Sequence, residues 1–246
     1  MSKLMKKKIL IYGGSGGIGA ATGRILRGKG FDLHLVGRDA NRLSAVAHEL
    51  GASFTVGDVN DPAFFAQVAQ EAGDCLDGLV YAVGTINLRS ISRLTENDFI
   101  NDFRVNAMGA ALAIQASLPA LKKSSNRTSV VLYSSVAAVQ GFAMHASIGL
   151  AKGAVNGLTL SLAAELAPKI RVNAIAPSLT NTRLAQGIVS NVKMTETIAG
   201  MHALERIGTP EDIASLTAFL LSDETDWMTG QIISVDGGRS TLRVKA

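Results

Sequence analysis

The chain has 246 residues, 47% of them hydrophobic and 18% charged, a balance that suits one α/β domain, spanning 1–246, with a substantial core and excludes a disordered chain. Its one cysteine, Cys75, excludes an internal disulfide and fits a reducing, cytoplasmic compartment, and no cysteine and histidine spacing suggests a metal site. The net charge of +4 and pI near 9.3 draw much on Lys3, Lys6, Lys7 and Lys8 at one end and Arg239, Arg243 and Lys245 at the other, which read as solvated tails rather than a nucleic-acid face.

In chain order, a flexible tail over about 1–6 leads into an apolar run too short for the core of a signal peptide. Short apolar or β-branched runs then recur at 8–12, 31–36, 53–56, 78–82, 129–133, 170–175 and 231–235. Most are too apolar to have a wet face. Because they alternate with helical patterns, they predict right-handed βαβ units in a seven-stranded parallel sheet with helices on both faces, a doubly wound Rossmann-type fold. Asp61-Pro62 and Thr209-Pro210 each place a capping side chain before a proline suited to a first helical turn. Asp212 adds a carboxylate favourable to the helix dipole, and Asp39 is read as the cap of a helix running to Leu50. No formal charge occurs between Arg127 and Lys152, but scattered polar residues and glycines make that stretch a buried strand, a loop and a packed helix rather than a membrane span. The segment 178–207 has no clear pattern and suits a substrate lid.

The first strand runs into Tyr12-Gly-Gly-Ser-Gly-Gly-Ile-Gly19. Glycines there allow a sharp turn and let backbone approach a pyrophosphate, which a helix N-terminus attracts. This string, with Gly13, Gly17 and Gly19 at the spacing Gly-x-x-x-Gly-x-Gly, and the stretch Ser134 to Gly157 resemble the short-chain dehydrogenase/reductase family; the likeness runs over roughly 7–238. The resemblance implies a nicotinamide cofactor held by Gly13, Ser15, Gly17, Ile18 and Gly19, by Asp58 and Val59 at the adenine, by Gly84, and by Pro177 and Thr182 at the carboxamide. Asp58 reads equally as a turn former. Relatives that prefer NAD carry an acid at the position of Gly37; here Arg38 follows a glycine, so NADP(H) is favoured over NAD(H). Two departures lie nearby. Tyr12 replaces a usual threonine, and Tyr81-Ala82-Val83-Gly84 stands where the family shows Asn-Asn-Ala-Gly, so the local sheet support must differ.

The resemblance also implies a catalytic set, of which Asn106, Ser135 and Lys152 are present, Lys152 serving both the ribose and the chemistry. The family's tyrosine position is Ile148, which cannot exchange a proton. His145 shares a helical face with Ile148 and Lys152 and has a suitable unperturbed pKa, about 6.5. Its placement also fits the Tyr-x-x-Met-x-x-x-Lys motif of the enoyl-acyl-carrier-protein reductase branch. The alternatives are Tyr133, for which core packing is the plainer role, and chemistry with water or Ser135 assisting an oxyanion. Ser147 is read as starting the helix.

The expectation is therefore an NADP(H)-dependent oxidoreductase with a non-standard proton donor, acting on the carbonyl or conjugated enone of a small-molecule substrate. The alternative is an inactive NADP(H)-binding sensor. Thr95 to Lys123 resembles the family's subunit-packing helices, which implies a homodimer or homotetramer. Neither a nucleic-acid nor a membrane partner is expected.

Overall fold

The computed structural model describes residues 6–243. Lys3, Lys245 and most of the expected N-terminal tail lie outside them. The chain alternates strand and helix: β1 (Lys8–Tyr12), α1 (Gly17–Gly28), β2 (Asp32–Gly37), α2 (Ala40–Leu50), β3 (Ser53–Val56), α3 (Pro62–Ala72), β4 (Gly78–Tyr81), α4 (Glu96–Phe103), α5 (Gly109–Lys123), β5 (Thr128–Tyr133), α6 (Ala146–Leu166), β6 (Ile170–Pro177), α7 (Gln186–Val189), α8 (Val192–Ala199), α9 (Pro210–Leu220) and β7 (Ile232–Val235). The seven strands form one sheet in the order β3-β2-β1-β4-β5-β6-β7, and every pairing is parallel. The order reverses between β1 and β4, so the crevice beyond their C-terminal ends is where a ligand binds in such sheets.

Period-two alternation sends successive strand residues to opposite faces. Leu10, Val36, Leu79, Leu132 and Val172 pack with Phe65 and Val68 of α3, Ile114 of α5 and Val155 of α6. On the other face, Ile9, Leu35, Val80, Val131 and Ile175 pack with Leu26 of α1, Leu43 of α2 and Ile213 of α9. The caps form as the sequence indicates. Asp39 accepts from the Arg42 N–H, Asp61 accepts from that of Ala63, and Thr209 and Asp212 close a capping box. Among the described residues, no helix is long and apolar enough to cross a membrane.

The terminal charges are only partly solvated. Lys7 pairs with Asp223 at 2.5 Å and Arg243 is exposed, but Arg239 is half-buried beside a large cavity, so the reading of both ends as solvated tails fails for it. The turn after β7 folds back. Asp236 accepts from the backbone N–H groups of Gly238 and Ser240, which holds Arg239 against the body.

Tyr12 and Tyr81 account for the departures around the glycine turn. The Tyr12 ring turns into the core between Phe65 and Tyr81, with centroids 6.0 and 5.6 Å away. Tyr81 supplies the local support that the sequence left open. Between α4 and α5 the backbone widens into a π-turn over Arg104–Met108, and the Tyr81 hydroxyl donates to the Val105 carbonyl at 2.7 Å. Gly109 makes room for this, since a Cβ there would lie 2.1 Å from Tyr81 Oη. Wide helical turns of this kind reposition side chains at functional sites, and this one presents Asn106. Tyr81→Phe should cost about 1–2 kcal/mol by orphaning the Val105 carbonyl, and Gly109→Ala about 1–3 kcal/mol by overpacking. Urea unfolding of the double variant should show less than additive loss, because removing the hydroxyl relieves the clash.

Candidate active site

The crevice between β1 and β4 is built by backbone against backbone. Gly13 has φ +76°, and a Cβ on it would lie 2.5 Å from the Ala82 carbonyl oxygen; one on Gly19 would lie 2.2 Å from the Gly13 oxygen. The N–H groups of Gly13 and Gly14 both donate to Val36 O. Gly16 caps α1 without any side-chain bond, so the first-turn N–H groups of α1 have no side-chain acceptor from their own cap, a ready site for an anion. Gly17 faces Thr182, whose methyl would lie 3.0 Å from an added Cβ. The structure thus brings the glycine turn and Thr182 together, with Ile18, Gly84, Pro177 and Thr182 on one cavity of about 490 Å³. Arg38 is exposed at the end of β2. A Cβ on Gly37 would sit 3.2 Å from Ser15 Oγ and 3.4 Å from Leu43, so the position normally given to an acid is crowded here. Asp58 is exposed and accepts from the Asn60 N–H, which is the turn-forming role, and Val59 beside it is buried.

Deeper in the same cavity lie Ser135, Ile148 and Lys152. Lys152 extends from α6 and donates to the Tyr133 carbonyl at 2.8 Å. Burial lowers its pKa to about 8 despite the opposing field of Asp102. Asn106 donates through Nδ2 to Thr85 Oγ1 and to Asp102 O, each at 2.8 Å. Its buried Oδ1 has no partner among the described residues. Gly84 separates the two functional groups: a Cβ there would lie 2.9 Å from Asn106 Oδ1 and 3.5 Å from Lys152 Nζ. The spot suits a water held by Asn106 and shared with the ammonium, which has three donors and, among the described residues, one hydrogen-bond partner, the Tyr133 carbonyl.

One component was absent from the sequence reading. Asp102, fully buried, accepts from Thr85 Oγ1 and from Ser147 Oγ, both at 2.6 Å. Ser147 therefore does not start the helix: the cap position of α6 is His145, which makes no side-chain cap bond, and the Ser147 hydroxyl is spent on the buried carboxylate. Only a buried serine two positions before Gly149 hinted at this, since its partner lies 45 residues away.

Ile148 is buried in the cavity wall. His145 lines the same cavity; its Nδ1–H donates to the Ala143 carbonyl at 2.7 Å and its ring lies 5.4 Å from that of Phe142. In the neutral ring Nε2 is then an acceptor. Tyr133 is excluded as a proton donor, because its ring packs under α9, its hydroxyl bonds Thr217 at 2.7 Å, and burial pushes its pKa up to about 12. The phenols of Tyr12 and Tyr81 are likewise held protonated by burial. The segment 178–207 carries α7 and α8, and Leu184, Ile188, Met194, Ile198 and Met201 line the cavity. Buried His202 ties its end down, donating from Nδ1 to the Ile198 carbonyl and accepting at Nε2 from Ser178 Oγ, each at 2.8 Å.

Comparison with known proteins gives this geometry its relatives. Residues 13–240 match a family model described as enoyl-(acyl carrier protein) reductase. A tropinone reductase homolog of Arabidopsis thaliana is 34% identical over 239 residues, covering 93% of this chain and 78% of that protein. The L-2,3-butanediol dehydrogenase of Corynebacterium glutamicum is 31% identical over 254 residues, covering 95% and 98%. A short-chain type dehydrogenase/reductase from Mycobacterium ulcerans superposes with a TM-score of 0.90 at 27% identity, covering 96% and 90%. The chain belongs to the short-chain dehydrogenase/reductase family. It is an oxidoreductase of the short-chain type, a family that binds a nicotinamide cofactor. A tyrosine-to-phenylalanine variant of ElxO with NADPH bound, 28% identical, superposes on this short-chain dehydrogenase/reductase with a TM-score of 0.88, covering 97% of this chain and all of that one, 100%.

The Asp102 network sets the charge of the site. Asp102→Asn removes the field that opposes desolvation of Lys152, so the Lys152 pKa should fall below about 8. Replacing the acceptor of two short bonds should also cost about 1–3 kcal/mol. Chemical shifts of the labelled lysine followed against pH, together with urea unfolding, check both.

Proposed function

We propose that the protein is an NADP(H)-dependent oxidoreductase that reduces a carbonyl or conjugated enone without a tyrosine proton donor. The observation carrying this reading is that Ser135 and Lys152 open onto one cavity with Ile18, Gly84, Pro177 and Thr182, while Asn106 Oδ1, unpartnered among the described residues, and the Lys152 ammonium both lie close to Gly84. The residues fit the cofactor. Gly13, Ser15, Gly17, Ile18 and Gly19 would hold the pyrophosphate side of the cofactor, Gly84 would line its site, Pro177 and Thr182 would meet the carboxamide, and Asp58 and Val59 the adenine. Lys152 would hold the ribose, and exposed Arg38, with no acid at Gly37, would take the 2′-phosphate. When bound, the nicotinamide supplies the hydride.

In this scheme Ser135 orients the substrate oxygen and polarises it as negative charge develops. The proton comes from the Lys152 ammonium, reaching the substrate oxygen directly or by a water that Asn106 would hold, because a lysine with a pKa of about 8 is an acid suited to near-neutral pH. His145 ranks behind it: with Nδ1–H spent on Ala143, only the imidazolium could donate from Nε2. A relative 28% identical to this chain holds NADPH, which supports NADPH as the cofactor here. Buried Ile148, which cannot exchange a proton, favours a second reading, a member of the family that binds the cofactor as a sensor and has lost turnover. The segment 178–207 acts as the apolar lid. Self-association as a homodimer or homotetramer belongs to the same proposal, supported by the exposed Ile100, Phe103 and Met108.

NADPH consumption measured against ketones, enones and imines tests the reading. Turnover should exceed that of Lys152→Ala by about a hundredfold or more; silence across the panel with NADPH bound would favour the sensor. Reduction needs Lys152 protonated, so the rate should be full below pH about 8 and decline above it. Ile148→Tyr should raise ketone reduction, and His145→Ala should leave turnover within about threefold. NADPH should bind roughly tenfold or more tighter than NADH, and Arg38→Ala should erase the difference; calorimetry reads both.

A further inference from the structure

The substrate half of the cavity is apolar and, among the described residues, has no acid in its wall; its two formally charged members are Lys152 and Arg239. Lys152 is engaged at the catalytic end, on the Tyr133 carbonyl. Arg239 belongs to the turn after β7 and reaches the cavity from the other side. Its guanidinium carbon lies 5.2 Å from the centroid of the Phe142 ring, which in turn lies 5.4 Å from the ring of His145. That cation–π contact holds the guanidinium over the ring face and leaves its N–H groups to find acceptors.

The acceptors at hand are poor. Among the described residues, the side-chain hydrogen bond of Arg239 runs from an Nη to the thioether sulfur of Met201, at 3.4 Å, and a thioether is a weak acceptor. The nearest acid in sequence, Asp236, is used up on the N–H groups of Gly238 and Ser240 and on the Ser240 hydroxyl. No ion pair joins Arg239 to another described residue, whereas Arg24, Arg27, Arg42, Arg127 and Arg206 all have carboxylate partners. An arginine that is half-buried, held over an aromatic ring and without an ion pair among the described residues, at the edge of an apolar cavity, is suited to a planar anion.

We propose that Arg239 anchors a carboxylate on the substrate, so that the preferred substrates are keto or enone acids with an apolar body between the reacting carbon and the acid. A single guanidinium matches one negative charge, which favours a carboxylate over a phosphate dianion: a second charge would enter the apolar wall uncompensated. The body of such a molecule lies against Phe142, Met194, Ile198 and Met201. This rests on the oxidoreductase reading for the location of the reacting carbon, but the anchor itself is read out by binding.

Benzoylalkanoates with two, three and four methylenes before the carboxylate, and their methyl esters, would be titrated calorimetrically into the NADP⁺-saturated protein, and into the cofactor-free protein as a control. At least one acid should bind about tenfold or more tighter than its ester. Arg239→Gln should remove that preference while leaving ester affinity within about twofold, and Arg239→Lys should restore part of it. If no acid outbinds its ester, including the case in which neither binds, the anchor is wrong. Equal weakening of acid and ester by Arg239→Gln would also overturn it, reducing Arg239 to packing on Phe142. NADPH oxidation with the same compounds separates the two claims: acid preference in binding without turnover sinks the reductase reading and leaves the anchor, and turnover indifferent to the acid does the reverse.

Discussion

Where β1 and β4 end, backbone meets backbone at a distance that only glycine permits: a Cβ on Gly13 would sit 2.5 Å from Ala82 O and one on Gly19 2.2 Å from Gly13 O. This contact starts α1 with its N-terminus aimed into the crevice between the central strands. It lies where the strand order reverses, the place at which an open parallel sheet leaves room for a ligand. Thr182, Gly84 and the catalytic end of α6 are arranged around it, and the position of each depends on how closely the first turn packs on the fourth strand.

Beyond that crevice, the site is organised by two buried charges that stay apart. Burial strips Lys152 of water, which lowers its pKa towards neutrality, and a backbone carbonyl satisfies the ammonium only in part. Asp102 is equally buried but receives two hydroxyl donors, so its carboxylate can oppose the desolvation of the lysine without forming an ion pair with it. A direct pair would hold the lysine protonated well above neutral pH. Distance and hydroxyl screening instead leave a cation able to give up a proton. Asn106, raised into position by the π-turn and Tyr81, lies between them and keeps one acceptor unspent.

Much of this was legible in the chain because it is local. Apolar runs announced the seven strands, with ends within a residue or two of those observed, and Asp39, Asp61 and Thr209 cap as their neighbours require. The glycine turn could be read for the same reason, its geometry being set by residues a few positions away; His145, read as sharing a helical face with Ile148 and Lys152, instead stands at the cap position before α6 with non-helical backbone. The placement of Met194, Ile198 and Met201 on the cavity was legible only as a possibility, since apolar residues in an irregular segment pack equally well against a core.

By itself the sequence determined the sheet and the crevice, which follow from residue type and short-range periodicity, whereas Ser135, Asn106, Ile148 and Lys152 stood out only through the resemblance to a family. Tertiary structure alone decided that Ser147 serves Asp102 rather than a helix start, that Tyr81 holds open the π-turn, that Tyr133 turns away under α9, and that Arg239 lines the cavity instead of trailing in solvent. The physical reason is the same in each case. A polar side chain takes its role from whichever donor or acceptor remains unsatisfied beside it once the core has closed, and these partners lie 24 residues away for Tyr81, 45 for Ser147, 84 for Tyr133 and 38 for Arg239.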